Sequence, residues 1–388
     1  MTDVVVVGIG ADGWPGLGER AREAIAGAEV IAGSHRQLAL LPDVPAEIVT
    51  WPSPLLPALR ELLTRDRRIC VLASGDPMHH GIGATIAKIV PDVRVIPHPS
   101  SVSLACARLG WPVESVTVVS MVGRPLSAVF APGRRFIVLS EGSGSPAAVA
   151  EALTTCGYDQ SSITVLEQLG GPGERVGPVR DDHDPLNVVA VECASDDPLP
   201  IVPGLPDDAY DHDGQLTKRE IRAVVLAFLQ PNGLLWDVGG GAGSIAIEWM
   251  RADRSCRAVT VERDPERASR IVGNAARLGV PTLKVVAGTA PQALTGLEPP
   301  DAVFIGGGLT REGVPETCWQ ALKPGGRLVA TAVTVESEAV LARWHKEQGG
   351  DLTRLSVSRA APVGGFTGWR PAMPVTIWST RKPSKDVE

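Results

Sequence analysis

The chain has 388 residues, 44% of them hydrophobic and 21% charged, which is too long for one ordinary domain and apolar enough for two cores. Its formal net charge of −7 argues against a nucleic-acid binder, whose affinity rests on many phosphate-neutralising cations, so no nucleic-acid partner is expected. The longest apolar runs are strand-sized rather than membrane-spanning. The opening Met1-Thr2-Asp3 lacks the basic start of a signal peptide. No membrane partner and a cytoplasmic location are therefore expected.

In chain order, the four valines at residues 4–7 run into Gly8-Ile-Gly-Ala-Asp-Gly13, a strand followed by a glycine turn. A helix-favouring run at residues 18–28 leads to Val30-Ile-Ala-Gly33, a second strand ending in glycine. Next comes Leu72-Ala-Ser-Gly-Asp-Pro-Met-His-His-Gly-Ile-Gly83. Its Gly75-Asp76-Pro77 loop can present backbone amides and one carboxylate to a positively charged ligand, although Asp before Pro also caps plain turns. The stretches Pro97-His-Pro-Ser-Ser-Val-Ser103 and Leu166-Glu-Gln-Leu-Gly-Gly-Pro-Gly-Glu-Arg175 follow. Six cysteines (70, 106, 156, 193, 256 and 318) are scattered without a Cys-x-x-Cys pair. His79-His80 alone makes no zinc site, so reduced thiols and no metal are expected.

Short apolar runs alternate with helical stretches along most of the chain, the mark of α/β architecture with largely parallel sheets. The alternation breaks at Ser195-Asp-Asp-Pro-Leu-Pro-Ile-Val-Pro-Gly-Leu-Pro-Asp-Asp208, where four prolines fall within nine residues. Proline lacks the amide donor and resists helix and central strand alike. This extended linker places a boundary near residue 200, between domains at 1–200 and 205–388.

Beyond the linker, Thr217-Lys-Arg-Glu220 fits a capping box in which Thr217 caps a helix. Ile221, Val224, Val225, Phe228 and Leu229 then mark one apolar helix face. Leu234-Leu-Trp-Asp-Val238 reads as a buried strand, followed at once by Gly239, Gly240, Gly241, Ala242 and Gly243 and a helix from Ser244. Such a turn lets backbone approach a ligand at a helix N-terminus. The next strand ends at Glu262, whose carboxylate can accept from ribose hydroxyls. Strand, glycine turn, helix, strand and acid in that order read as a nucleoside site. A dinucleotide fingerprint would place Gly or Ala where Ser244 stands.

Glycines at 239, 241 and 243 instead resemble the spacing of S-adenosylmethionine methyltransferases. Ala287-Gly-Thr-Ala-Pro291, Asp301-Ala-Val-Phe-Ile-Gly-Gly-Gly308 and Leu322-Lys-Pro-Gly-Gly-Arg-Leu328 resemble further motifs of that superfamily. Pro206-Asp-Asp-Ala-Tyr210, Gln215-Leu-Thr-Lys-Arg-Glu-Ile-Arg222 and Val333-Thr-Val-Glu336 narrow the likeness to the decarboxylating precorrin-6Y C(15)-methyltransferases. The resemblance implies a Rossmann-like fold with Thr217, residues 239–243, Glu262 and Ala290 at the cofactor. That family often has Asp in place of Glu262, and Gly-Asp-Ala where this chain has Gly288-Thr289-Ala290. In the first half, the three later stretches resemble the tetrapyrrole methylases, a class III methyltransferase fold. They imply cofactor contacts at Gly75, Asp76, Pro77 and Ser101. Val122 stands where that family shows His, and Gly173 where it shows Asp.

Together the halves resemble the bifunctional precorrin-6Y C(5,15)-methyltransferases of cobalamin biosynthesis, which methylate carbons 5 and 15 and decarboxylate the ring-C acetate. The resemblance implies S-adenosylmethionine as cofactor, a precorrin as small-molecule substrate, a homo-oligomer, carbon 5 served by the first half and carbon 15 by the second. An electron-rich ring carbon needs no strong protein base, and no catalytic residue is assigned. The substrate's carboxylates should meet cations. Lys218, Arg219 and Arg222 lie beside Thr217, with Arg222 one turn from Lys218, while Arg124 and Arg36 are candidates in the first half. A solvated helix face is the commoner role for such cations, and Arg222 is the one least readily explained by it. Rival readings are an NAD-dependent oxidoreductase, an S-adenosylmethionine-binding regulatory protein, and a methyltransferase acting on RNA or protein.

Overall fold

A computed structural model describes residues 3–384; Met1 and Thr2, part of the N-terminal reading above, lie outside the described residues. The chain divides into two compact units. One comprises residues 1–126, 132–153 and 159–195, the other residues 127–131, 154–158 and 196–388. Among the described residues, no helix is long and apolar enough to cross a membrane.

The first unit holds two sheets. Strands β1 (Asp3–Ile9), β2 (Val30–Gly33), β3 (Glu47–Thr50), β4 (Arg68–Ser74) and β5 (Arg94–Ile96) form a parallel sheet in the order β3-β2-β4-β1-β5. Alternate residues of β1, β2 and β4 face opposite cores. Val4, Val6, Ala32 and Val71 pack with Leu59 and Leu62, whereas Val5, Val7, Ile31 and Leu72 pack with Leu17 and Ile25. Burial on both faces explains why the run at residues 4–7 is apolar without alternation.

The second sheet contains β6 (Val116–Ser120), β7 (Arg135–Leu139), β8 (Ser162–Glu167), β9 (Arg175–Gly177) and β10 (Asn187–Glu192), in the order β6-β7-β10-β8-β9. Here the expectation of largely parallel sheets fails. Only β6 and β7 pair in parallel, and β10 inserts between β7 and β8 antiparallel to both. The link from β8 to β9 contains no helix and reverses the chain, whereas β9 and β10 flank β8, are both antiparallel to it, and so run the same way with no helix between them.

The other unit is built on a seven-stranded sheet. Its strands are β11 (Leu234–Val238), β12 (Arg257–Glu262), β13 (Lys284–Ala287), β14 (Ala302–Ile305), β15 (Arg327–Ala332), β16 (Asp351–Leu355) and, after a separate hairpin of β17 (Ser358–Val363) and β18 (Phe366–Pro371), β19 (Val375–Arg381). The order is β13-β12-β11-β14-β15-β19-β16, parallel from β13 to β15, with β19 antiparallel to both neighbours. Chain order reverses between β11 and β14, which opens a crevice beyond the carboxyl ends of those strands.

The helix Arg219–Leu229 buries Ile221, Val225, Leu226 and Leu229, with Val224 and Phe228 packed at the edge of the same core. Its start corrects the expected capping box. Lys218 occupies the N-cap position with no side-chain cap bond. The Arg219 amide donates instead to Asp207 Oδ1 at 3.0 Å. A carboxylate twelve residues upstream thus takes the role expected of Thr217.

Candidate functional site

In the seven-stranded unit, β11 runs straight into the glycine turn at residues 239–243. A Cβ on Gly239 would fall 2.6 Å from the Gly307 Cα, so the turns after β11 and β14 touch backbone to backbone. Gly241 has φ +57, and a Cβ there would sit 2.6 Å from the Gln215 carbonyl oxygen. The segment ahead of the first helix therefore lies over the turn at Gln215.

Glu262, at the end of β12, is buried. Its Oε2 accepts from the Gly241 amide at 2.9 Å and its Oε1 from the Asp264 amide at 3.0 Å. Each carboxylate oxygen keeps acceptor capacity for a further donor. The Gly288 amide donates to the Glu262 carbonyl at 2.9 Å, which seats the loop carrying Thr289 and Ala290 beside β12. Beneath the turn, burial pushes the Asp237 carboxyl up to about 7, with Glu262 adding to the rise. Ala242 turns its side chain into the core, and its carbonyl accepts from Asn274 at 3.0 Å. The structure thus draws Gly239, Gly240, Gly241, Gln215, Glu262 and the Ala290 loop around one crevice, while the Thr217 carbonyl, two residues beyond Gln215, accepts from Arg222.

The expected carboxylate-binding cations fare differently. Arg222 is 0% exposed, a correction to its expected place at a pocket mouth. It shares the buried helix face of Leu226 and Leu229, one and two turns on. Its Nε donates to Glu248 Oε1 at 2.5 Å, and Nη1 donates to the Thr217 carbonyl at 2.5 Å and Asp207 Oδ1 at 3.3 Å. Nη2 donates to the Leu205 carbonyl. Glu248 also accepts from the Gly204 and Leu205 amides and from the Tyr210 hydroxyl. The guanidinium is a brace beneath the Thr217 segment with no reach to a ligand. Lys218 is half-exposed, its Nζ 3.7 Å from Asp207 Oδ2.

In the first unit, a cleft of about 520 Å³ opens beyond the carboxyl ends of β1, β2 and β4. Its floor carries Ile9, Gly10, Ser34, Ser74 and Gly75, and its other wall comes from Leu139, Ser140, Leu166, Asn187 and Val188 of the second sheet. Of the four residues expected here, Gly75 and Ser101 line the cleft. Asp76 caps its own turn, Oδ1 accepting from the Met78 amide at 2.9 Å. Pro77 is buried under Gly81 and Gly83, where added Cβ atoms would fall 2.5 and 2.7 Å from it. Arg124 is exposed and donates to the Ser120 carbonyl at 3.1 Å, whereas Arg36 lines the cleft.

The wall is pinned from behind. Glu167 is 1% exposed and binds Arg180 at 2.5 Å, Arg175 at 3.2 Å, His183 Nδ1 at 3.2 Å and the Asp184 amide at 2.6 Å. Burial works to raise its pKa, but the Arg180, Asp184 and His183 hydrogen bonds win and hold it at about 2. Asn187 and Ser140, which bond at 2.6 Å on the wall, and Trp51 at the rim carry no motif and escape a reading by sequence.

A family model described as tetrapyrrole (corrin/porphyrin) methylases matches residues 3–180, and one described as a precorrin methyltransferase domain matches residues 208–382. The chain is 49% identical to a precorrin-6Y C(5,15)-methyltransferase [decarboxylating] of Sinorhizobium sp, over 98% of this chain and 96% of that one. Two shorter relatives from Salmonella typhimurium each match at 31% identity. A cobalt-precorrin-7 C(5)-methyltransferase covers 45% of this chain and is 88% covered, and a cobalt-precorrin-6B C(15)-methyltransferase (decarboxylating) covers 44% and is 92% covered. The chain therefore belongs to the family of decarboxylating precorrin-6Y C(5,15)-methyltransferases.

Proposed function

We propose that this chain methylates precorrin-6Y at carbons 5 and 15 and releases the ring-C acetate carboxyl as carbon dioxide, giving precorrin-8 in cobalamin biosynthesis. The observation that carries this reading is the end-to-end likeness to the Sinorhizobium relative, at 49% identity across both halves. Residues 1–200 are assigned carbon 5, and residues 205–388 carbon 15 and the decarboxylation. The two family models, on residues 3–180 and 208–382, support that division. So do the two shorter relatives, which carry one activity each in their names.

S-adenosylmethionine is the proposed methyl donor at both sites, where it supplies a methyl group on a positively charged sulfonium. The second unit's crevice fits a nucleoside: a turn held open by residues without side chains, roofed by Gln215, with a buried carboxylate at its edge. Thr217, residues 239–243, Glu262 and Ala290 are assigned to it there. In the first unit Gly75, Asp76, Pro77 and Ser101 are assigned, with Gly75 and Ser101 as the contacts on the cleft wall and the other two setting the loop.

The accepting carbon is made nucleophilic by the substrate's own pyrrole nitrogen, so the protein's task is alignment and exclusion of water. Alignment alone can contribute on the order of several kcal/mol. In decarboxylation, the carbon–carbon bond to the carboxyl breaks and its electron pair passes to a protonated ring imine of the substrate. We also propose a homo-oligomer acting in the cytoplasm.

Mass spectrometry after incubation with reduced precorrin-6 and S-adenosylmethionine tests the reading. Two methyl groups gained and one carbon dioxide lost are expected. Gly241→Arg should abolish the carbon-15 share alone, because its side chain has no room beside the Gln215 carbonyl. No mass change, with cofactor shown to bind, would sink the assignment.

A further inference from the structure

The first unit's cleft is apolar with one fixed charge. Among the described residues that line it, Arg36 is the one Lys, Arg, Asp or Glu, in a lining that also holds Trp51, Leu55, Ile82, Leu104 and Leu166 and the two imidazoles of His79 and His80. Its surroundings hold it in place. Arg36 Nη2 donates to Ser74 Oγ at 2.7 Å, and Gln37 Nε2 donates to the same oxygen at 3.1 Å. The Gln37 amide has one possible orientation, because its Oε1 accepts the Ser34 amide at 2.8 Å as half of a capping box.

With two N–H donors on its oxygen, Ser74 has both lone pairs occupied. Its own hydroxyl hydrogen is then left to donate. Ser74 also lines the cleft. An arginine fork and a serine hydroxyl with a directed hydrogen therefore stand side by side, an arrangement suited to one carboxylate. The nearby acid is Asp184, which acts on Arg36 through space, while its Oδ1 accepts the Leu186 amide at 2.7 Å. Burial outweighs Asp184 and lowers the Arg36 pKa, the mark of a cation short of solvent and of a full counter-ion.

We propose that Arg36 and Ser74 form a carboxylate subsite that takes one peripheral carboxylate of the tetrapyrrole, the rest of the macrocycle lying against the apolar wall. This rests on the methyl acceptor being a precorrin. S-adenosylmethionine also carries a carboxylate, so the test separates the two sources. Initial rates of carbon-5 methylation by the full chain are measured against tetrapyrrole concentration for the wild type, Arg36→Gln, Arg36→Lys and Ser74→Ala. S-adenosylmethionine affinity is measured by calorimetry, and thermal unfolding checks the fold.

Arg36→Gln should raise KM for the tetrapyrrole by roughly 10- to 100-fold with kcat little changed, the loss of one charged hydrogen-bonding partner. Arg36→Lys should recover part of this, keeping the charge without the fork, and Ser74→Ala should show a smaller rise. Cofactor affinity and unfolding midpoint should hold. An unchanged KM in Arg36→Gln overturns the subsite, as does a matching loss of S-adenosylmethionine affinity, which would give the arginine to the cofactor. Failure of the wild type to methylate carbon 5 defeats the precorrin reading itself.

Discussion

Burial decides what a charged residue does, and Arg222 and Lys218 show it within one helical turn. Arg222 is 0% exposed and its partner Glu248 2%, so removing the guanidinium leaves a buried carboxylate and strips a donor from the Thr217 and Leu205 carbonyls. Losing one side of such a pair typically costs about 3–5 kcal/mol. Arg222→Ala should therefore lower the stability of the second unit by that order in urea denaturation, whereas the half-exposed Lys218→Ala should cost under about 1 kcal/mol. Equal effects of the two substitutions would show that the network is not what holds this corner. The spacing to Leu226 and Leu229 sets Arg222 on the buried helix face, but nothing local shows which carboxylate meets it. Glu248 lies 26 residues from Arg222, inside a helix that reads as apolar, and only tertiary packing reveals the pair.

Elements divide by how local their cause is. Each glycine turn after a buried strand, the helix face through Ile221, Val225 and Leu229, and Glu262 at the end of β12 were legible because neighbours in sequence set them. The antiparallel second sheet was not, since the insertion of β10 between β7 and β8 depends on strands far apart in the chain. Nor was the first unit's cleft, whose walls combine Ser34, Trp51, Ser101, Ser140 and Asn187 from separate elements. The helix start at Arg219 is a case where a good local motif lost to a distant side chain. Asp207 accepts the Arg219 amide and also sits 3.3 Å from Arg222 and 3.7 Å from Lys218. Asp207→Ala should cost about 1–2 kcal/mol, the upper range for a lost helix cap. Thr217→Ala should cost a few tenths while weakening S-adenosylmethionine binding. Paired denaturation and calorimetry on the two variants check this, and a larger stability loss in Thr217→Ala would restore the capping box.

Across the whole molecule, the two units carry buried carboxylates of opposite sign toward pH. Asp237 titrates near 7 when folded against an ordinary value of 3.8. Between those values the folded state holds the extra proton, so stability falls as pH rises through that window and is level above it. A shift of this size corresponds to a swing on the order of 4 kcal/mol. Glu167 runs the other way. Its folded value of about 2 lies below the ordinary 4.5, so its contribution is full above 4.5 and lost as pH falls toward 2. Each unit has its own cores, and chains of this kind need not unfold in one step. Calorimetric scans of the full chain from pH 3 to pH 8 should therefore show two responses. Asp237→Asn should flatten the decline of one transition between pH 4 and 7, and Glu167→Gln should remove the acid loss from the other below pH 4.5. If both substitutions altered the same transition, the two carboxylates would report on one cooperative body, and the independence of the two units in unfolding would have to be given up.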